Sequence, residues 1–147
     1  MLSTSDFKQI IKNTPLISID LIIENSKGEI LLGKRLNAPA KGYWFVPGGR
    51  IFKDERMDNA FRRTTKNEIG IELERKEVEF IGVYEHFYDN NVFNEEFSTH
   101  YIVLAHQFKI DEKKIKLNNQ HETYKWFKID ELLLDRNVHK YTKEYFK

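Results

Sequence analysis

Val46-Pro47-Gly48-Gly49-Arg50 reads as a tight glycine loop, and it feeds a helix expected to start near Asp54 and stop at Gly70. Glycines in such a loop let backbone approach a ligand closely. Positions 64, 67 and 68 lie three and four apart on the helix, so they share a face. They are Thr64, Asn67 and Glu68, which gives that face one carboxylate. One carboxylate can hold a single Mg²⁺, with ligand phosphates and water filling the octahedron. Glu55 and Arg63 lie eight apart on the same stretch. Arg63 can reach back to brace the glycine loop, or touch phosphate; both readings stand.

Other residues could serve the same chemistry. Arg35 and Arg50 carry guanidinium groups, whose planar fork suits phosphate oxygens. His121 titrates near neutrality when unperturbed, so a neutral imidazole is available as a general base. The bland reading is a surface histidine beside Glu122. Asp20 falls in mid-strand and is either solvated or functional. His86 on a strand is as often a core residue as a ligand contact. His100, His106 and His139 have no motif around them and read as structural.

The elements that would hold these groups follow from periodicity. Ser3 to Asn13 reads as a short helix capped by Ser3, Thr4 or Ser5, with Phe7, Ile10 and Ile11 as its stripe; Pro15 ends it. Leu16 to Asn25 alternates as a strand, Ile17, Ile19, Leu21 and Ile23 on one face and Asp20 on the other. Asn25-Ser26-Lys27-Gly28 is a turn, and Glu29 to Arg35 returns as a second strand. Tyr43 to Val46 is a short apolar strand. The helix behind the glycine loop points Met57, Ala60, Phe61, Thr65 and Ile69 inward, and Gly70 suits a left-handed cap. Strands are expected over Glu77 to Phe87, Phe97 to Ile110 and Thr123 to Lys128, with loops at Tyr88 to Glu96 and Asp111 to Asn119. A helix begins at Ile129, and the tail from Arg136 is expected to be helical and mostly on the surface. Strands mixed with helices imply an α/β sandwich.

The 147 residues are expected to form one domain, residues 1–147, with a substantial core. Twenty-four basic against 23 acidic residues give a formal charge of +1, so nothing demands nucleic acid or an anionic membrane. No long apolar run or signal peptide is seen, and a cytoplasmic protein is expected. The absence of cysteine excludes disulfides and zinc–thiolate sites. Eleven Phe, seven Tyr and two Trp exceed what a recognition site needs, so most must be core, leaving some to stack on a planar ligand.

Gly49, Glu55, Arg63, Glu68, Gly70 and Ile71 stand at the spacings of the Nudix box, which the chain resembles over 23 residues. The box has Glu where this chain has Thr64, and Glu again where it has Asn67. Four segments together resemble the GDP-mannose mannosyl hydrolase branch, in which those carboxylates are usually missing. They are the run from Gly42 to Arg50, the Arg63-Thr64-Thr65-Lys66-Asn67-Glu68-Ile69-Gly70 variant, Glu85 to Asp89, and Gln120 to Trp126. The likeness extends from Asp6-Phe7 to the last helix.

The resemblance implies a Nudix fold with a mixed sheet between helices. It implies a Mg²⁺-dependent homodimer that splits GDP-mannose, with GDP-glucose as a further substrate, into GDP and free sugar. Water would attack C1 with inversion. His121 would be the base, with Asp20 orienting or polarising it. Glu68 and the Gly48 carbonyl would hold the metal. Arg35, Arg50 and Tyr101 would meet the diphosphate, Asp6 and Phe7 the base, and His86 and Gln120 would line the substrate site. Two alternatives stay open. One is a Nudix pyrophosphohydrolase that cuts the GDP-sugar at phosphorus; the other is a non-catalytic nucleotide-sugar sensor.

Overall fold

The computed structural model describes residues 2–117 and 123–147. Helix α1 (Thr4–Asn13) is capped by Ser3, whose hydroxyl accepts from the Asp6 backbone N–H at 3.1 Å. Strand β1 (Leu16–Glu24) follows Pro15, then β2 (Ile30–Lys34), β3 (Trp44–Phe45) and β4 (Gly48–Arg50). Helix α2 (Met57–Ile69) precedes the long strands β5 (Glu79–Tyr88) and β6 (Thr99–Lys109). Strand β7 (Thr123–Phe127) and two short helices, α3 (Ile129–Leu134) and α4 (Lys140–Glu144), complete the chain.

The seven strands make one mixed sheet. Five run across it in the order β3-β2-β1-β6-β5, while β4 also pairs with β1 and β7 with β2. β1 and β6 are parallel from Leu16 opposite Tyr101 to Glu24 opposite Lys109. The side-chain period of two in β1 divides the core. Ile19, Leu21 and Ile23 pack beneath α2 against Ala60, Phe61 and Ile69. Ile22 faces the other way, joining Ile30, Leu32, Phe127, Leu132 and Val138. Helices therefore cover both faces, as the α/β sandwich requires.

Four local expectations need correction. Helix α2 begins at Met57, not near Asp54. Asp54 sits at φ +64° in a turn where Phe52 N–H donates to Glu55 Oε1 and Glu55 N–H to Phe52 O. Met57, on the first turn, is exposed rather than core. Ile17 is 47 % exposed, because the cluster beneath α2 begins at Ile19. The tail is not mostly surface: only Lys140–Glu144 is α-helical, and Val138, Tyr141 and Thr142 are buried.

Gly70 closes α2 at φ +76°, where a Cβ would lie 2.8 Å from the Lys116 side chain. The loop after β5 is pinned by the buried Asn91, whose amide donates to the Glu95 and Phe97 carbonyls at 2.7 Å and whose Oδ1 accepts from Phe93 N–H. No helix among the described residues is long and apolar enough to cross a membrane.

Candidate active site

A cleft of about 720 Å³, its open mouth included, lies where β1 meets the glycine loop. It gathers Asp20, Gly48, Arg50, His86 and Tyr101 from four strands, Glu68 from α2 and Arg35 from just after β2. β4 makes this possible. Its antiparallel register sets Arg50 opposite Ser18, Gly49 opposite Ile19 and Gly48 opposite Asp20. A Cβ on Gly48 would lie 2.3 Å from the Ile19 carbonyl oxygen and 2.8 Å from Asp20 Oδ1. Only glycine lets the two backbones come this close, and Gly48 itself lines the cleft.

The charged groups are each held. Arg35 Nε donates to the Pro39 carbonyl at 2.8 Å, which ties it to the loop between β2 and β3. The Arg50 guanidinium lies over the Phe7 ring at 4.5 Å. Glu68 Oε2 accepts from the Tyr124 hydroxyl at 3.0 Å. Arg63 forks onto both Glu55 oxygens at 2.8 Å and donates to the Arg50 carbonyl at 2.8 Å. Glu55 and Arg63 thus brace the glycine loop and stand outside the cleft lining. The Arg63 hydrogen bond and charge hold the Glu55 carboxyl below its usual range.

Burial shapes the remaining groups. Asp20, an open question in the sequence, accepts a 2.6 Å hydrogen bond from Tyr145 in the tail, and burial raises its pKa to about 7 against the opposing effect of that bond. Burial also raises Tyr101, with Arg35 and Arg50 pulling the other way, so its hydroxyl is a protonated donor at neutral pH. His86 is buried and stacks flat on Tyr141 at 4.3 Å, and its Nε2 has no partner among the described residues.

His86 and His139 are both pushed down to about 4, chiefly by burial. Between their ordinary 6.5 and about 4, the unfolded chain binds protons that the folded chain refuses, so acidification across that window favours unfolding. Asp20 contributes with the opposite sign, since the folded chain keeps its proton up to about 7. Replacing His139 by Gln is therefore expected to flatten the loss of stability between pH 6.5 and 4. Urea unfolding at several pH values checks this; a slope equal to wild type would mean His139 carries none of it.

Other expected residues fall elsewhere. Phe7 reaches the cleft only through Arg50, and Asp6 is exposed in the first turn of α1; neither lines the cavity. Gln120 and His121 lie outside the described residues. Pro39, Phe45 and Tyr88 line the cleft without having been expected there, and Tyr145 bonds to its carboxylate. Phe45, inside the aromatic run before the glycine loop, could have been suspected; Tyr145, 125 residues from Asp20, gave no signal.

Of positions 64, 67 and 68 on α2, only Glu68 is a carboxylate. Thr64 is buried beneath Gly49, with its Oγ1 3.2 Å from where a Gly49 Cβ would stand and no partner among the described residues. Asn67 is exposed and borders a shallow cleft with Arg62, Arg63 and Lys66 on the outer side of α2. Among the described residues, no three His, Cys, Asp or Glu side chains come together to hold a metal ion. The Glu68 carboxylate and the Gly48 carbonyl are hard oxygen donors, a set that fits one Mg²⁺ completed by phosphate and water.

A two-faced mixed sheet with a glycine loop and helix flanking a polar cleft is the arrangement of the Nudix fold. The NUDIX domain family matches residues 14–146, and this chain belongs to the Nudix family. Over 122 residues it is 37 % identical to low-salt glycan biosynthesis protein Agl8 of Haloferax volcanii, covering 83 % of this chain and 76 % of that protein. The MutT Nudix hydrolase from Burkholderia pseudomallei superposes with a TM-score of 0.69 at 27 % identity, over 90 % of this chain and 95 % of that one. The MutT protein from Methanosarcina mazei Go1 gives 0.68 at 24 % identity, over 91 % and 92 %, and speaks for the fold alone.

Proposed function

We propose that this chain is a Mg²⁺-dependent hydrolase of GDP-mannose, and of GDP-glucose, that releases GDP and the free sugar. The reading rests above all on the helix face just described. Of the three box positions that bear carboxylates in phosphorus-attacking relatives, one is filled by Thr64 packed under Gly49 and one by Asn67 turned to solvent. Attack at phosphorus gains from several cations against crowded negative charge, and a single carboxylate supports one. The Agl8 similarity adds a glycan-biosynthesis protein as a relative, in keeping with a nucleotide-sugar substrate.

In this reading Glu68 and the Gly48 carbonyl hold the Mg²⁺, which supplies positive charge against the diphosphate. Arg35, Arg50 and the Tyr101 hydroxyl, which also line the cleft, bind the same diphosphate and steady it as it leaves. His121 takes a proton from water as the water oxygen bonds to C1. The bond from C1 to the β-phosphate oxygen breaks with its electrons going to GDP, and the sugar is released inverted. Asp20 orients or polarises His121, and His86 lines the sugar site. Asp6 and Phe7 recognise the base, and a homodimer completes the assembly.

Hydrolysis in ¹⁸O-labelled water tests the reaction class: label is expected in mannose and none in phosphate. Label in GMP or sugar phosphate would establish attack at phosphorus instead. Binding of GDP-mannose with no turnover would leave the sensor.

A further inference from the structure

We propose that Phe52 is a positioning residue for diphosphate binding, acting by holding the Arg50 guanidinium between its own ring and that of Phe7. The inference rests on the proposed function, in that Arg50 is taken to meet the diphosphate. Three contacts form a ladder of alternating rings and cations. Arg50 lies 4.5 Å from the Phe7 ring centroid and 5.2 Å from that of Phe52, and Arg63 lies 4.0 Å from Phe52 on the ladder's inner side.

Each rung is fixed by something other than the stack. Arg63 is forked onto Glu55 and bonded to the Arg50 carbonyl. The Phe52 backbone N–H donates to Glu55 Oε1 at 3.0 Å, which fixes the main chain that carries the ring in the turn before α2. Phe7 is held from the far side by an edge contact with Phe93 at 5.9 Å. Arg50 itself has its backbone locked opposite Ser18 in β4, and its side chain lines the cleft.

A long, flexible arginine on a cleft wall would otherwise sample many rotamers and lose entropy on meeting phosphate. Contact with two rings restricts the guanidinium, while Arg50 still lines the cleft where its N–H donors can meet a ligand. Phe52 is 40 % exposed, so an apolar ring is kept partly in water where packing alone offers it little.

Isothermal titration with GDP and with inorganic pyrophosphate, both with Mg²⁺, tests this in full-length protein. Phe52→Leu is expected to weaken both ligands about two- to fivefold, the range that a cation–π contact at an exposed site supports. Phe52→Tyr and Phe52→Trp keep a ring face and are expected to bind as wild type does. In an Arg50→Ala background, Phe52→Leu is expected to change nothing further, since the ring acts through that side chain. Equal weakening by Leu and Tyr, or a full Phe52→Leu effect without Arg50, would show mere packing and overturn the proposal. Wild-type affinity in Phe52→Leu would overturn it alone, leaving the proposed function intact. Failure of wild type to bind either ligand would remove both.

Discussion

Replacing His121 by glutamine is expected to lower kcat for GDP-mannose by about 10²- to 10⁴-fold, the usual contribution of a positioned general base. Glutamine keeps hydrogen-bonding capacity and similar size while removing the basic lone pair. GDP affinity is expected to hold, because the groups proposed to bind the diphosphate, Arg35, Arg50 and Tyr101, stand on other elements. A drop in kcat with KM for GDP-mannose unchanged is the signature of a group that acts only in the transition state. Undiminished turnover would remove His121 from the mechanism. Asp20, whose pKa of about 7 suits a base at neutral pH, would then be the next group to replace.

The second large effect is steric. Gly48→Ala places a methyl carbon 2.3 Å from the Ile19 carbonyl oxygen and 2.8 Å from Asp20 Oδ1, so β4 must move away from β1. The strand cannot yield without breaking a pairing that carries Gly48, Gly49 and Arg50 together. We expect activity to fall by about 10²-fold or more, since ångström-scale misplacement of binding groups has costs of that order. Stability should fall by about 1–3 kcal/mol, as for an overpacked interior. Gly49→Ala is the comparison. Its Cβ would meet the Thr64 side chain first, at 3.2 Å and 3.4 Å, so a side chain rather than backbone has to give, by a few tenths of an ångström. Steady-state kinetics and urea unfolding of the two variants should separate sharply; equal, mild effects would mean that the close β1–β4 approach does not shape the cleft.

The mixed sheet was legible because its strongest signals are local. Alternation in β1 and β6, the glycine loop and the Gly70 cap each depend on residues a few positions apart. Boundaries were less so. Whether α2 starts at Asp54 or Met57 is settled by the exchange of hydrogen bonds between Phe52 and Glu55, which helix periodicity does not encode. Met57 fits the apolar stripe of α2 yet lies in water, since burial depends on what the helix packs against.

Of the site, residue type and spacing along the chain determined the glycine loop with its Arg50 and the lone Glu68. Those are properties of one segment and its box spacing. Tertiary structure alone decided that Asp20 faces the cleft with Tyr145 on its oxygen, that Thr64 is sealed beneath Gly49, and that Arg50 is sandwiched by Phe7 and Phe52. Each of these joins groups from different elements. The energies that set them, desolvation and close packing, exist only once the sheet and its helices have enclosed the space between them.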